Sequence, residues 1–160
     1  MRYYTSIDEQ VVPSQFSEYE WLQYNLYEDS RDAEIPDTTG KWMIFSKTLE
    51  DADTLWPILK NALYNERLGS AMKCATKTSS NGVLTCIYTY CWYNIADIKR
   101  VLSAMRDVGI NHKIFYKADE QTHMGISGSI YVSVKDTHVE ITKKGYEWFK
   151  LTGISIPHEL

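Results

Sequence analysis

The spacing of apolar residues predicts a long helix in the first half of the chain. Three leucines recur every four residues from Leu55 to Leu63, which places them on one helical face. Pro57 has no amide proton and therefore suits the first turn of a helix. Together these positions predict a helix that begins near Asp53 or Thr54.

Two further helices are predicted from capping residues. Asn94 is a good N-cap, and Gly109 can end the helix that follows it. The apolar stripe of that helix consists of Ile95, Ile98, Val101, Leu102 and Met105. Nearer the N-terminus, Ser17 and Glu20 have the spacing of a capping box and precede apolar residues, which predicts a short helix over 18–27.

Short apolar runs between these helices predict strands. They lie at 42–45, 71–76, 83–90, 113–117, 130–134 and 138–142, and a last short helix is predicted over 145–151. Asn81-Gly82 is a strong signal for a hairpin turn between the second and third strands. Hairpins favour an antiparallel sheet with helices packed on one face, so the predicted class is α+β.

The length of 160 residues predicts a single domain over 1–160. Within it, the polar segments 1–16 and 28–40 are expected to be irregular, and 118–129 is expected to be a loop.

Composition narrows the function classes. The net charge of −4 argues against binding an extended nucleic-acid duplex but leaves room for a small basic site. Three cysteines without a CxxC motif predict reduced thiols, which indicates the cytoplasm. No apolar run has the length of a membrane span, and no signal peptide is evident. The four histidines form no HxxxH or HExxH motif, so neither a metal site nor a cofactor is predicted.

The predicted central hairpin brings lysines and aromatic residues together. If Asn81 and Gly82 are the two turn residues, Lys73 pairs with Tyr90, and Tyr88 and Trp92 point to the same side of the sheet. Lys117, at the end of a later strand, can join them. Rings stack on a base and ammonium groups offset phosphate charge, so this face suits a nucleotide. The alternative is that the lysines simply lie along a solvated face.

A series of short segments resembles the basophilic leukaemia expressed protein family, a largely uncharacterised family. The matching segments within 40–126 are Gly40-Lys41-Trp42-Met43-Ile44-Phe45, Leu55-Trp56, Leu68-Gly69-Ser70-Ala71-Met72-Lys73-Cys74-Ala75-Thr76, Cys86-Ile87-Tyr88-Thr89, Asp97 with Arg100-Val101-Leu102, Arg106 with Gly109, and Tyr116-Lys117-Ala118-Asp119 with Thr122 and Gly125-Ile126.

The resemblance implies a fold similar to the cap-binding translation initiation factor, with a curved antiparallel sheet and helices on its convex face. The loops that would correspond to its cap-binding loops, 46–51 and 77–82, contain no tryptophan, so cap binding is not implied. The resemblance also directs attention to polar residues inside the matching segments. These are Lys73, Thr76, Arg100, Lys117, Asp119 and Thr122.

Three hypotheses about function follow. The first is a small binding protein for a nucleotide or other phosphorylated ligand, which can sequester a nucleotide signal, for example in a phage or bacterial protein that evades immunity. Lys73 and Lys117 would meet phosphate, and the rings of Tyr88, Tyr90 or Trp92 would stack on the base. Thr76 and Thr122 would donate hydrogen bonds, and Asp119 is the partner available to the lysines.

The second hypothesis is a metal-independent phosphodiesterase that cleaves a cyclic or oligonucleotide messenger, with His123 or Tyr88 as the acid or base. The third is a protein-interaction module that uses the predicted helix around Trp21 or an exposed aromatic patch to bind a protein partner.

Overall fold

The computed structural model describes residues 2–6, 10–26, 38–158 and 160. The strands within these residues are β1 (Tyr3–Thr5), β2 (Trp21–Asn25), β3 (Gly40–Ser46), β4 (Ala71–Ala75), β5 (Val83–Thr89), β6 (Ile114–Ala118), β7 (Tyr131–Ser133) and β8 (Glu140–Ile141). The helices are α1 (Leu49–Tyr64), α2 (Ile95–Asp107), α3 (Asp119–His123) and α4 (Lys143–Thr152), with a 3-10 turn at Pro13–Phe16.

One open sheet organises the described part of the chain. Its eight strands follow the order β1-β2-β4-β5-β3-β6-β7-β8. Every neighbouring pair is antiparallel except β1 and β2, which run parallel. The predicted α+β class with an antiparallel sheet and packed helices is therefore confirmed.

Alternate residues of the strands build a core on one face of this sheet. Leu22, Trp42, Met72, Ile87 and Tyr116 point to that face and are fully buried. The helices α1, α2 and α4 cover them with their own apolar stripes. Many core side chains of the strands and helices are at most 1% exposed, among them Trp42, Leu59, Leu63, Val101, Leu102 and Ile114. The opposite face of the sheet carries the intervening residues.

The predicted helix over 18–27 is wrong, because Trp21–Asn25 is the strand β2. The side chains of Leu22 and Tyr24 are buried and their neighbours point outward, which is the two-residue period of a strand. The amide of Glu20 donates to the carbonyl of Arg2 instead of closing a capping box with Ser17. Pairing with β4 and β1 overrides the local helix signal.

The start of α1 also differs from its prediction. The helix begins at Leu49, where the hydroxyl of Thr48 accepts the amide of Asp51 at 3.1 Å, and Pro57 lies inside the helix. In contrast, α2 begins after Asn94 as predicted, and the Asn94 side chain accepts the amide of Asp97 at 3.2 Å.

Other expectations changed in smaller ways. Residues 1–16 were expected to be irregular, but they contain β1 and a 3-10 turn, and part of the predicted loop 118–129 is the short helix α3. Most of the predicted loop at 28–40 lies outside the described residues.

All three cysteines are free thiols. Among the described residues, no helix is both long and apolar enough to cross a membrane.

Candidate functional site

The central hairpin fixes which side chains share the open face of the sheet, the face away from α1 and α2. Ser79 and Gly82 exchange both backbone hydrogen bonds, so the turn residues are Ser80 and Asn81. The ladder between β4 and β5 pairs Lys73 with Cys86, so the predicted pairing with Tyr90 is wrong. The shift is an even number of residues, so Lys73 and Tyr88 remain on the predicted side of the sheet.

Three lysines project from this open face. Lys73 lies on β4, Lys41 on β3 and Lys117 on β6, and all three alternate with residues of the core. Lys73 and Lys117 are thus on the same side, as predicted. We call the surface formed by Lys41, Lys73, Lys117, Trp21 and Tyr88 the lysine face.

Lys41 is held by an ion pair at the end of β6. Its ammonium lies 2.7 Å from a carboxylate oxygen of Asp119 and 3.3 Å from the hydroxyl of Thr122. The other Asp119 oxygen accepts the hydroxyl of Thr39 at 2.8 Å. Only 10% of the Lys41 side chain is exposed, so this contact neutralises a largely desolvated charge. Asp119 therefore forms its ion pair with Lys41, and not with Lys73 or Lys117.

Lys117 lies directly opposite Lys41 across the β3–β6 ladder. Like charges in this arrangement repel each other. Burial, followed by the charge of Lys41, lowers the pKa of Lys117 below its ordinary value. No ion pair compensates Lys117 within the described ranges of the chain.

Lys73 leans toward the opposite end of the lysine face. Its ammonium lies 3.9 Å from the centre of the Trp21 ring and 5.6 Å from the centre of the Tyr3 ring. Both rings attract a cation through their electron-rich faces. Burial lowers the pKa of Lys73, and the charge of Lys41 acts in the same direction. The ammonium of Lys73 therefore points toward β2 and β1, away from Lys117 on β6.

Cys86 and Tyr88 occupy the strand between these lysines. Burial raises the pKa of Cys86 to about 11, although the charges of Lys73 and Lys41 oppose the shift. Burial also raises the pKa of Tyr88 far above its ordinary value. At neutral pH the thiol is protonated and is a poor nucleophile, and the phenol is a neutral hydrogen-bond donor.

One family model matches more than half of the chain. The family described as "Basophilic leukemia-expressed protein Bles03" matches residues 17–125. The chain belongs to the Bles03 family. No curated protein matches the sequence. The matched region begins well before the predicted family-like section 40–126, so it includes Trp21 as well as Lys41, Lys73 and Lys117.

Two predicted site residues of this Bles03-family chain, Trp92 and Thr76, make structural contacts. Trp92 is 2% exposed and packs against Trp148 and Phe149 in the core, so its predicted place on the open face is wrong. Thr76 is buried and donates its hydroxyl to the carbonyl of Tyr19.

Tyr90 and His123 lie near the lysine face, whereas Arg100 lies on α2, on the other side of the sheet. Tyr90 is exposed and follows the last residue of β5, where its carbonyl accepts the hydroxyl of Thr38 at 3.0 Å. His123 is the exposed last residue of α3, next to Thr122. Arg100 binds Asp97 and the carbonyls of Arg67 and Leu68, which ties α2 to the segment before β4.

Sequence reasoning missed two residues of the lysine face, Lys41 and Trp21. Trp21 was assigned to a helix, and only its pairing in β2 brings it diagonally beside Lys73. The sequence did contain a signal for Lys41. It precedes the apolar Trp42 in a predicted strand, so its side chain must point to the opposite face of the sheet.

The lysine face is rich in ammonium groups, and such groups suit an anion. Across the described ranges, no three His, Cys, Asp or Glu side chains are grouped as metal ligands would be. Its chemical resources are ammonium groups, hydroxyl donors and aromatic rings.

Proposed function

We propose that this protein binds a nucleotide or another phosphorylated ligand on the lysine face. The observation that carries the proposal is the gathering of Lys41, Lys73 and Lys117 on one open face of a sheet in a protein with a net charge of −4. A core has no use for these charges, and the direct opposition of Lys41 and Lys117 costs stability.

A bound anion would offset this cost. Asp119 compensates Lys41, which leaves Lys73 and Lys117 without an ion pair among the described residues. Hydrogen bonds from ammonium groups to phosphate oxygens are charge-assisted and stronger than neutral ones. Thr122 places a hydroxyl beside the same site.

The aromatic residues favour a ligand that also has a ring. Trp21 and Tyr88 are half-buried on the lysine face, and Lys41 lies 5.8 Å from the centre of the Tyr88 ring. Stacking of a base on such rings contributes about 1–3 kcal/mol per base in single-stranded nucleic-acid sites. A nucleotide combines the ring and the negative charge that this surface can accommodate.

The test is a thermal-shift and calorimetric screen of nucleoside mono- and diphosphates with each of the common bases. A ligand that binds only the folded protein must raise the melting temperature. We expect Lys73→Met and Lys117→Met each to reduce this rise. Lys150→Met, on the exposed side of α4, removes the same charge far from the site and should leave the rise unchanged. If no nucleotide shifts the melting temperature, or if all three variants behave alike, the proposal is wrong.

A phosphodiesterase remains the alternative for the same surface. His123 follows Thr122, whose hydroxyl contacts Lys41, so it is the nearest candidate for an acid or base. Tyr88 is a weaker candidate base, because its raised pKa keeps it protonated. Product formation from a cyclic dinucleotide in the presence of chelator, abolished in His123→Ala, would favour catalysis over binding alone.

The protein-interaction hypothesis loses one of its two supports. Trp21 belongs to β2 and contacts Lys73, so it presents no helix to a partner. Pull-down of a protein that competes with the nucleotide would be the observation in its favour.

A further inference from the structure

The ammonium groups on the lysine face form two separate poles. One pole consists of Lys41 and Lys117, which are direct partners on β3 and β6. The other is Lys73 on β4, beside the Trp21 and Tyr3 rings. The strands between β4 and β6 are β5 and β3. Three strand intervals separate the backbones of Lys73 and Lys117 by about 14 Å, measured across the sheet.

The direction of the side chains widens this separation. The ammonium of Lys73 lies over Trp21, which belongs to β2, on the side of β4 that faces away from β6. The ammonium of Lys41 is drawn to Asp119 at the start of α3, directly after β6. In these positions the two poles offer separate contacts to an anion.

Tyr88 lies between the two poles. It is the cross-strand partner of Lys41 on one side and of Ala71 on the other, and β5 carries it at the centre of the face. On β4, the side chain directly opposite Tyr88 is the small methyl group of Ala71. A sugar or base positioned over Tyr88 would direct substituents to either side.

We infer that the ligand carries two phosphate groups separated by at least one sugar, as in a nucleoside 3′,5′-bisphosphate or a dinucleotide. One phosphate binds between Lys41 and Lys117, the other binds Lys73, and the intervening sugar or base covers Tyr88. This inference rests on the proposed function and specifies its ligand class. The two lysine charges that Asp119 does not compensate, those of Lys73 and Lys117, are divided between the poles, which matches an anionic group at each end.

The experiment compares four adenosine probes by calorimetry: the 5′-monophosphate, the 5′-diphosphate, the 3′,5′-bisphosphate and the linear dinucleotide with a 5′-phosphate. The last two have separated phosphates, whereas the 5′-diphosphate carries similar charge in adjacent phosphates. If the screen shows that the protein prefers another base to adenine, the same four probes are made with that base. We expect the separated phosphates to bind about tenfold or more tightly than the 5′-diphosphate, because a second charge-assisted contact is gained.

The lysine variants identify each pole. Lys73→Met should reduce the affinity for the 3′,5′-bisphosphate to that for the monophosphate while leaving monophosphate binding at the Lys41–Lys117 pole intact. Lys117→Met should weaken all four probes, and Lys150→Met should weaken none.

Two different failures are distinguishable. If the 5′-diphosphate binds as tightly as the 3′,5′-bisphosphate, a single pole is used and the two-pole inference is overturned, while nucleotide binding stands. If none of the four probes binds, the proposed function fails together with the inference.

Discussion

Lys41 on β3 and Lys117 on β6 are direct cross-strand partners on the open face of the sheet. Only Lys41 is compensated, by the carboxylate of Asp119 at 2.7 Å. A like-charged pair in this position is destabilising unless something negative lies near it. The relationship therefore links the stability of the ligand-free protein to its proposed ligand.

Removing one charge of this pair should stabilise the ligand-free protein. We expect Lys117→Met to raise the free energy of unfolding by about 0.5 kcal/mol, because the repulsion by Lys41 is lost and the aliphatic stem is kept. Urea unfolding measures the change, with Lys150→Met as the matched control. A lower stability of Lys117→Met than of the control would show that Lys117 has a stabilising partner.

Removing the compensating carboxylate should have opposite effects on stability and binding. Asp119→Asn leaves the largely buried ammonium of Lys41 without its counter-charge, at a cost of about 1–3 kcal/mol in unfolding free energy. The freed Lys41 charge should bind a nucleotide phosphate more tightly, because Asp119 no longer repels the anion. Urea unfolding and calorimetry on the same variant measure both effects. Weaker binding in Asp119→Asn would instead mean that Asp119 contacts the ligand or positions Lys41 for it.

The buried thiols should make the protein less stable in alkali. Burial raises the pKa of Cys86 to about 11 and that of Cys74 to about 12, whereas both thiols have a pKa near 9 when unfolded. Above pH 9 the unfolded chain therefore releases protons that the folded chain retains, so the free energy of unfolding falls as the pH rises.

Urea unfolding between pH 7 and pH 10.5 tests this dependence. Cys86→Ala should show a shallower loss of stability with pH than the wild type, because one of the protons retained by the folded state is removed. Cys91→Ala, at a half-buried position, controls for the loss of a thiol. If stability falls as steeply with pH in Cys86→Ala as in the wild type, the folded state does not retain a proton on Cys86 as predicted.

A core substitution checks the packing of α1. Leu63 is fully buried, and Leu63→Ala should cost about 2–5 kcal/mol in unfolding free energy. Leu151→Ala, at a position that is 62% exposed on α4, is the control and should change stability by less than about 0.5 kcal/mol. Equal effects of the two substitutions would mean that the helix packs through a different face.

Local sequence signals correctly predicted the elements whose conformation the tertiary structure also favours. The Asn94 cap and the apolar stripe from Ile98 to Met105 predicted α2, because caps and helical periodicity act over a few residues. The strand β2 escaped prediction for the opposite reason. Its conformation depends on pairing with β4, which is about fifty residues away in sequence. Long-range pairing overrides a local helix signal when it buries Leu22 and Tyr24.

The candidate site likewise has features that local sequence determines and features that depend on long-range pairing. The sequence by itself determined that Lys73, Tyr88 and Lys117 point away from the core, because the two-residue alternation of a strand fixes the side on which each side chain lies. Only the tertiary structure decided which strands are neighbours. It placed β3, which carries Lys41, between β5 and β6. It also paired Asp119 with Lys41 and brought Trp21 beside Lys73. Strand order arises from packing of the whole sheet, so no local pattern could have specified these contacts.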